Sequence, residues 1–194
     1  MGVNVNIAEK RFGRKEIFKD FSYSFKDSGL YVIKAKSGAG KTTLLRIIAG
    51  LDKDYSGEIS GIEHGDISMH FQEYRLFDGL NSLENVTYLS FKNPTEDDIA
   101  SAKKLLIGLG LKEDELSLFP HELSGGMKMR VSFARAVLKP SRILLLDEPT
   151  KELDHSTKEK VIQLINEESK ARLVIMVTHE SDCSMLLNPT VLEL

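Results

Sequence analysis

The stretch Ala35-Lys36-Ser37-Gly38-Ala39-Gly40-Lys41-Thr42-Thr43 constrains this chain more than any other part of it. It follows a short apolar run, Leu30-Tyr31-Val32-Ile33, and opens into Leu44-Leu45-Arg46-Ile47-Ile48-Ala49, which reads as a helix closed by Gly50. Strand, glycine-rich loop, Lys-Thr and helix in that order make a phosphate cradle. Gly38 and Gly40 let backbone N–H groups turn toward an anion without a Cβ in the way. The helix N-terminus adds orphan donors and partial positive charge. Lys41 would reach the outer phosphates of a nucleotide, and the Thr42 hydroxyl would coordinate Mg²⁺. The motif G-x-x-x-x-G-K-[ST] expects glycine at position 35, where Ala35 stands. A left-handed backbone there would cost an alanine roughly 1 kcal/mol, and a negative φ almost nothing. Since Ser37 to Thr43 are intact, phosphate binding is expected to persist.

At 194 residues the chain is long enough for one domain, or one domain with an insertion. Its 26 basic and 29 acidic residues give a formal charge of −3, which argues against a nucleic-acid partner engaged through a basic face. Cys183 is the only cysteine, so no internal disulfide is possible and a reducing compartment is expected. The N-terminus lacks the charged and apolar regions of a signal peptide, and the apolar runs 143–146 and 173–177 are too short to span a bilayer. The expectation is a cytoplasmic chain that meets a membrane only through a partner.

Val3, Val5 and Ile7 alternate with polar residues, as do Phe21, Tyr23 and Phe25, so both stretches read as half-buried strands joined by a turn at Phe12-Gly13-Arg14-Lys15. Residues 54–59 read as a turn, and 67–71 as a strand that delivers Gln72 to its end. From 82 to 137 the texture is helical. Thr95 to Asp98 resembles a capping box, and Ser124 precedes Gly125-Gly126 and a helical run from Met127. The core resumes with Ile143-Leu144-Leu145-Leu146, an apolar run suited to a strand buried on both faces of a parallel sheet. A helix from Thr157 to Ser169, a buried strand at 173–177 and a last edge strand at 190–194 follow. The pattern is α/β: a mainly parallel sheet over 1–78 and 138–194, with a helical subdomain over 79–137.

Asp147 and Glu148 end the buried strand, where such folds place their ligands. Two acids in an apolar setting are costly unless they hold a metal or move protons. Asp147 would hold Mg²⁺ opposite Thr42, and Glu148 would deprotonate the attacking water. The alternative for an acid after a strand is a helix N-cap.

Leu123-Ser124-Gly125-Gly126-Met127, set before a helix and ahead of Asp147, resembles the signature motif of the ATP-binding-cassette (ABC) ATPases. The resemblance covers nearly the whole chain in family order. Phe12 stands where the family places an adenine-stacking aromatic, Ala35–Thr43 match the Walker A loop, and Gln72 matches the Q-loop. Ile143–Glu148 match the Walker B strand, Lys151-Glu152-Leu153-Asp154 the D-loop, and His179 the switch histidine. It implies the P-loop NTPase fold of these ATPases, with an N-terminal antiparallel β subdomain and an inserted helical one. It implies ATP and Mg²⁺ as ligands, with Ser37, Gly38, Ala39, Gly40, Lys41, Thr42 and Thr43 on the phosphates. Thr42, Gln72 and Asp147 would hold the metal, and Gln72 and Lys41 would join Glu148 and His179 in catalysis. Ser124, Gly125 and Gly126 would serve a nucleotide on a second ATPase subunit packed head to tail, as homodimer or heterodimer, with Asp154 at that interface.

The resemblance further implies the ATPase subunit of an ABC transporter, driving a separate transmembrane permease from the inner face of the membrane. The competing reading is a non-transport ABC ATPase acting as a soluble nucleotide-gated switch. Met127 departs from the glutamine common at the end of the signature, and Asp78-Gly79-Leu80 lacks a proline frequent in that region. With fifteen residues after His179, no carboxy-terminal regulatory domain is expected.

Overall fold

A computed structural model describes residues 2–178 and 184–194. The strand–helix alternation closes into a five-stranded parallel sheet. β3 (Gly29–Lys34), β5 (Ile67–His70), β6 (Ile143–Asp147), β7 (Leu173–Val177) and β8 (Thr190–Glu193) lie in the order β5-β6-β7-β3-β8. Every residue of β6 and β7 is buried, as unbroken apolar runs require. The register explains why distant motifs meet. Ile33 and Asp147 both pair with Val177, so β3 and β6 end level across β7. The loop after β3 and the acid ending β6 therefore open on the same edge.

The period-two alternation of these strands divides the core. Leu144, Leu146, Val174 and Met176 face one side and pack with α2 (Ser82–Ser90), α3 (Glu96–Gly108), α4 (Gly125–Leu138) and α5 (His155–Ala171). Ile143, Leu145, Ile175 and Val177 face the other and pack with α1 (Lys41–Ile48) and an antiparallel sheet. That second sheet has the order β2-β1-β4, from β1 (Val3–Phe12), β2 (Lys15–Phe25) and β4 (Ser56–Ser60). Residues 82–137 form no strand, only α2–α4 and two short 3₁₀ turns.

Three local expectations need correction. The segment read as a turn at 54–59 contains β4, paired antiparallel to β1. Its residues are mostly exposed, so no apolar alternation marks it. Gly57 permits the pairing, since a Cβ there would lie 2.1 Å from the Asn6 carbonyl oxygen. α5 starts at His155, two residues before the expected Thr157, because Asp154 is its cap. One Asp154 carboxylate oxygen accepts from the Thr157 N–H at 3.0 Å and the other from the Thr157 hydroxyl at 2.8 Å. Finally, β5 ends at His70, so exposed Gln72 stands two residues beyond the strand rather than at its end.

The entry to the helical segment is held by a buried amide. Asn85 accepts from the Phe77 N–H at 2.8 Å and donates to the Phe77 and Leu80 carbonyls at 3.1 and 2.8 Å. All of these bonds close one turn, so Asn85 fixes residues 77–81 as tightly as a backbone turn would.

Candidate active site

The helix termini differ in a way that points to a ligand. Asn81, Thr95, Ser124 and Asp154 each cap their helix through a side-chain oxygen. Among the described residues, α1 alone begins with no side-chain cap and no acid in its first turn. Its N-cap is Gly40 at φ 103°, a backbone that favours glycine. A side chain at 40 would also strike Ile17 and Phe18, since its Cβ would lie 2.5 and 3.0 Å from them. The orphan N–H groups and the positive dipole end of α1 are thus left for an external anion.

Lys41 lies over this loop, its Nζ donating to the Ala35 and Lys36 carbonyls at 2.9 and 3.2 Å. Lys15, from β2, donates to the Gly38 carbonyl at 3.0 Å and brings a further cation to the loop. The sequence reading missed it, because a lysine after a turn carries no motif. Ala35 is not among the described residues of positive φ. Its missing glycine therefore costs no left-handed strain, and its carbonyl serves as an acceptor for Lys41. A depression of ≈ 390 Å³ beside the loop is bounded by Lys34, Lys36, Lys41, Thr178 and Glu193.

The Thr42 hydroxyl donates to Asp147 Oδ1 at 3.2 Å, across 105 residues of sequence. Burial pushes the Asp147 carboxyl above its ordinary range, opposed by the Thr42 bond, raised again by Glu148 and opposed by Lys41 and Arg46. A hydroxyl and a carboxylate at this spacing are hard oxygen ligands of the kind Mg²⁺ takes while keeping much of its water. The donor set fits the metal, and a bound dication would favour the charged form of Asp147 against the effect of burial.

Glu148 follows directly, half-buried, with φ 50°. Its N–H donates to the Val177 carbonyl at 2.9 Å, and its own carbonyl accepts from Lys151 N–H at 3.2 Å. Left-handed backbone costs a non-glycine residue on the order of 1 kcal/mol and persists only where neighbours enforce it. Glu152, four residues on, is also left-handed at φ 63°. The turn carrying both acids is a strained one.

Phe12 is 53% exposed at the end of β1. Lys10 Nζ lies 4.6 Å from its ring centroid and is itself buried, bonded to Asp52 at 2.9 Å and to the Asp54 carbonyl at 2.6 Å. Burial works against the Lys10 charge, but Asp52 and Asp54 outweigh it and hold its pKa above the usual lysine value. An exposed aromatic face backed by a fixed cation is a platform for a flat ring.

Ser124 caps α4 by accepting from the Met127 N–H at 3.3 Å, and Gly125 and Gly126 form its first turn. Against Gly125 lie Glu152, from the segment matched to the D-loop, and Tyr74, which no motif announced. A Cβ at 125 would sit 2.9 Å from Glu152 Oε2 and 3.1 Å from the Tyr74 hydroxyl, and those two groups hydrogen-bond to each other. The strand ends bring Lys41, Thr42, Asp147 and Glu148 to one edge of the sheet. His179 lies outside the described residues.

The chain belongs to the ABC transporter family, whose profile matches residues 18–151. The fold and the loop define it as an ATP-binding-cassette ATPase. It is 34% identical to a putative hemin import ATP-binding protein HrtA of Staphylococcus epidermidis, over 93% of this chain and 90% of that one. It is 36% identical to the aliphatic sulfonates import ATP-binding protein SsuB of Bacillus subtilis, over 96% of this chain and 77% of that one. Among solved structures, the dimeric bacterial ABC transporter cassette MJ0796 superposes with a TM-score of 0.82 at 30% identity, covering all of this chain and 94% of that one. A dimeric post-hydrolysis state of MJ0796 bound to ADP and Pi superposes at 0.80 with 28% identity, covering 94% and 89%.

Proposed function

We propose that this chain binds ATP at the open N-terminus of α1 and hydrolyses it to drive a separate membrane permease. The carrying observation is the Thr42–Asp147 contact beside that uncapped helix, with Lys41 laid over the same loop. In this reading Ser37 to Thr43 enfold the phosphates, Lys41 swings from its two carbonyls onto the outer ones, and Phe12 stacks on adenine. Thr42 and Asp147 hold Mg²⁺ with Gln72; the bound cation supplies charge neutralisation of the phosphate oxygens. Glu148 accepts the proton of the water that attacks the γ-phosphorus, and His179 donates to the γ-phosphate oxygens.

Ser124, Gly125 and Gly126 complete the site of a second copy, or of a related ATPase subunit, packed head to tail with Asp154 at the seam. The dimeric state named for the MJ0796 cassettes supports that arrangement. Residues 79–137 then move as a helical subdomain against 1–78 and 138–194. Among the described residues no helix is long and apolar enough to cross a membrane, which fits attachment at the inner membrane face through a permease. A groove of ≈ 1050 Å³ between α1 and the helical segment carries Leu51 at 52% and Phe77 at 57% exposure, with Arg75, Arg135 and Lys139 along it. Its apolar floor and mixed-charge rim, where Asp52 and Glu63 accompany Arg75, Arg135 and Lys139, suit an amphipathic permease segment. The relatives' names span hemin and aliphatic sulfonates. What they share is the ATP-binding subunit, not one cargo.

Glu148→Gln tests this reading. It is expected to bind ATP yet hydrolyse it at least about 100-fold more slowly, and to elute as an ATP-bound dimer. Wild-type phosphate release from that variant would remove Glu148 as the base, and a monomer with saturating ATP–Mg²⁺ would remove the sandwich.

A further inference from the structure

The Tyr74 hydroxyl bonds the Glu152 carboxylate across 78 residues of sequence. Each partner is anchored elsewhere. Arg135, from α4, donates to the Tyr74 and Arg75 carbonyls at 3.2 and 2.8 Å, so the backbone after Gln72 is pinned to the signature helix. Arg75 crosses the Phe71 ring at 4.0 Å, and Arg75, Leu76 and Phe77 line the large groove. Glu152 sits in the strained turn that begins at Glu148: Lys151 bonds back to Glu148 and Leu153 bonds back to Thr150. A Cβ at Gly125, first residue of α4, would press on the ends of both side chains, so glycine lets them lie against it, although its own φ is not left-handed. One hydrogen bond therefore ties the arm after Gln72, the turn after β6 and the start of α4.

We propose that Tyr74 and Glu152 are positioning residues, a clasp that holds the Glu148–Asp154 turn in its left-handed form and so sets the Glu148 carboxylate for water activation. The proposal rests on Glu148 being the water-activating group. A left-handed glutamate relaxes to ordinary backbone when its restraint is lost. A small backbone movement at Glu148 turns its carboxylate away from the attacking water, which slows chemistry without touching the phosphate loop. Because the clasp's other end lies beside the groove, displacement of residues 74–77 by a docked segment would reach Glu148 by the same route.

The test is a double-mutant cycle on the full chain, Tyr74→Phe against Glu152→Ala, with Glu152→Gln as the conservative variant. Tyr74→Phe and Glu152→Ala should each lower kcat about five- to tenfold and leave the KM for ATP within about twofold, and the double variant should be no slower than either single one. Glu152→Gln, whose amide oxygen still accepts the hydroxyl, should recover most of the rate. The second readout is the ultraviolet titration of the tyrosines. Tyr74 should resist ionisation to about pH 12, because the Glu152 bond, then burial and the Glu152 charge, stabilise its protonated form. It should ionise earlier in Glu152→Ala. Unchanged kcat in both single variants, or additive losses, would overturn the positioning role. An unmoved titration would overturn the clasp itself. That readout needs no nucleotide, so it is independent of the ATPase reading, which would fail separately if the wild-type chain bound ATP without turnover.

Discussion

Two helices in this molecule begin at paired small residues, and they are finished differently. α1 is preceded by Gly40 with no side chain over its end, while Lys15 from β2 and Asp147 from β6 join its own Lys41 and Thr42 there. α4 starts at Ser124, which caps it, and the near neighbours of its first residue are Tyr74 and Glu152. A cluster of cations beside an open helix end attracts an anion by itself. A carboxylate beside a helix start is a neighbour that an anion must contend with. The difference teaches that the start of α1 is left open to an anion by its own chain, whereas the start of α4 is already occupied by its cap and a neighbouring carboxylate, which fits the proposal that it meets phosphate only from another molecule.

The largest expected effect breaks that comparison at α4. Ser124→Arg should abolish turnover, by about 100-fold or more, yet leave ATP affinity of the monomer within about twofold, since it touches nothing in the α1 cradle. Filter-binding and phosphate-release measurements on the same preparation separate the two. Parallel loss of affinity would mean that α4 serves its own chain's nucleotide.

A second test concerns how α4 is anchored to the sheet. His70, on β5, is fully buried with its Nδ1 3.3 Å from the Ser132 hydroxyl of α4 and its ring edge-on to Phe133. Burial, then the Arg135 charge, push its pKa down to about 3, against the Ser132 bond. The sign follows. Below the unfolded value of about 6.5 the unfolded chain takes a proton that the folded chain refuses, so stability falls as pH drops from there toward 3. The limiting slope is about 1.4 kcal/mol per pH unit. His70→Gln, neutral throughout, should lose about 1–2 kcal/mol less than wild type between pH 7 and 5 in urea unfolding. Equal losses would show that the imidazole is protonated in the folded state.

The smallest effect belongs to α1. Because Ala35 is not left-handed, Ala35→Gly should change ATP affinity by less than about twofold. A tenfold gain would mean that the loop must adopt a different backbone when phosphate binds.

Much of this was legible in the residues. The strand–loop–helix layout around residues 35–43, the buried strands 143–146 and 173–177, and the caps at Thr95 and Ser124 each depend on neighbours within a few positions, and each formed as read. β4 was not legible, because an exposed edge strand carries no alternation and exists only through its pairing with β1. Asp154 was legible as either an interface acid or a cap, and within this chain it is the cap.

By itself the sequence determined the order of loop, strand and acid, and hence the family and the chemistry that the site can perform. Helix caps such as Thr95 and Ser124, and the burial of the apolar runs, depend on near neighbours, so residue identity goes far toward deciding them. Only the tertiary structure decided that Ile33 and Asp147 end level across β7, that Thr42 therefore meets Asp147, and that Tyr74 reaches Glu152. Those contacts depend on strand register and helix placement, which are set by the packing of both faces of the sheet and not by any stretch of sequence alone.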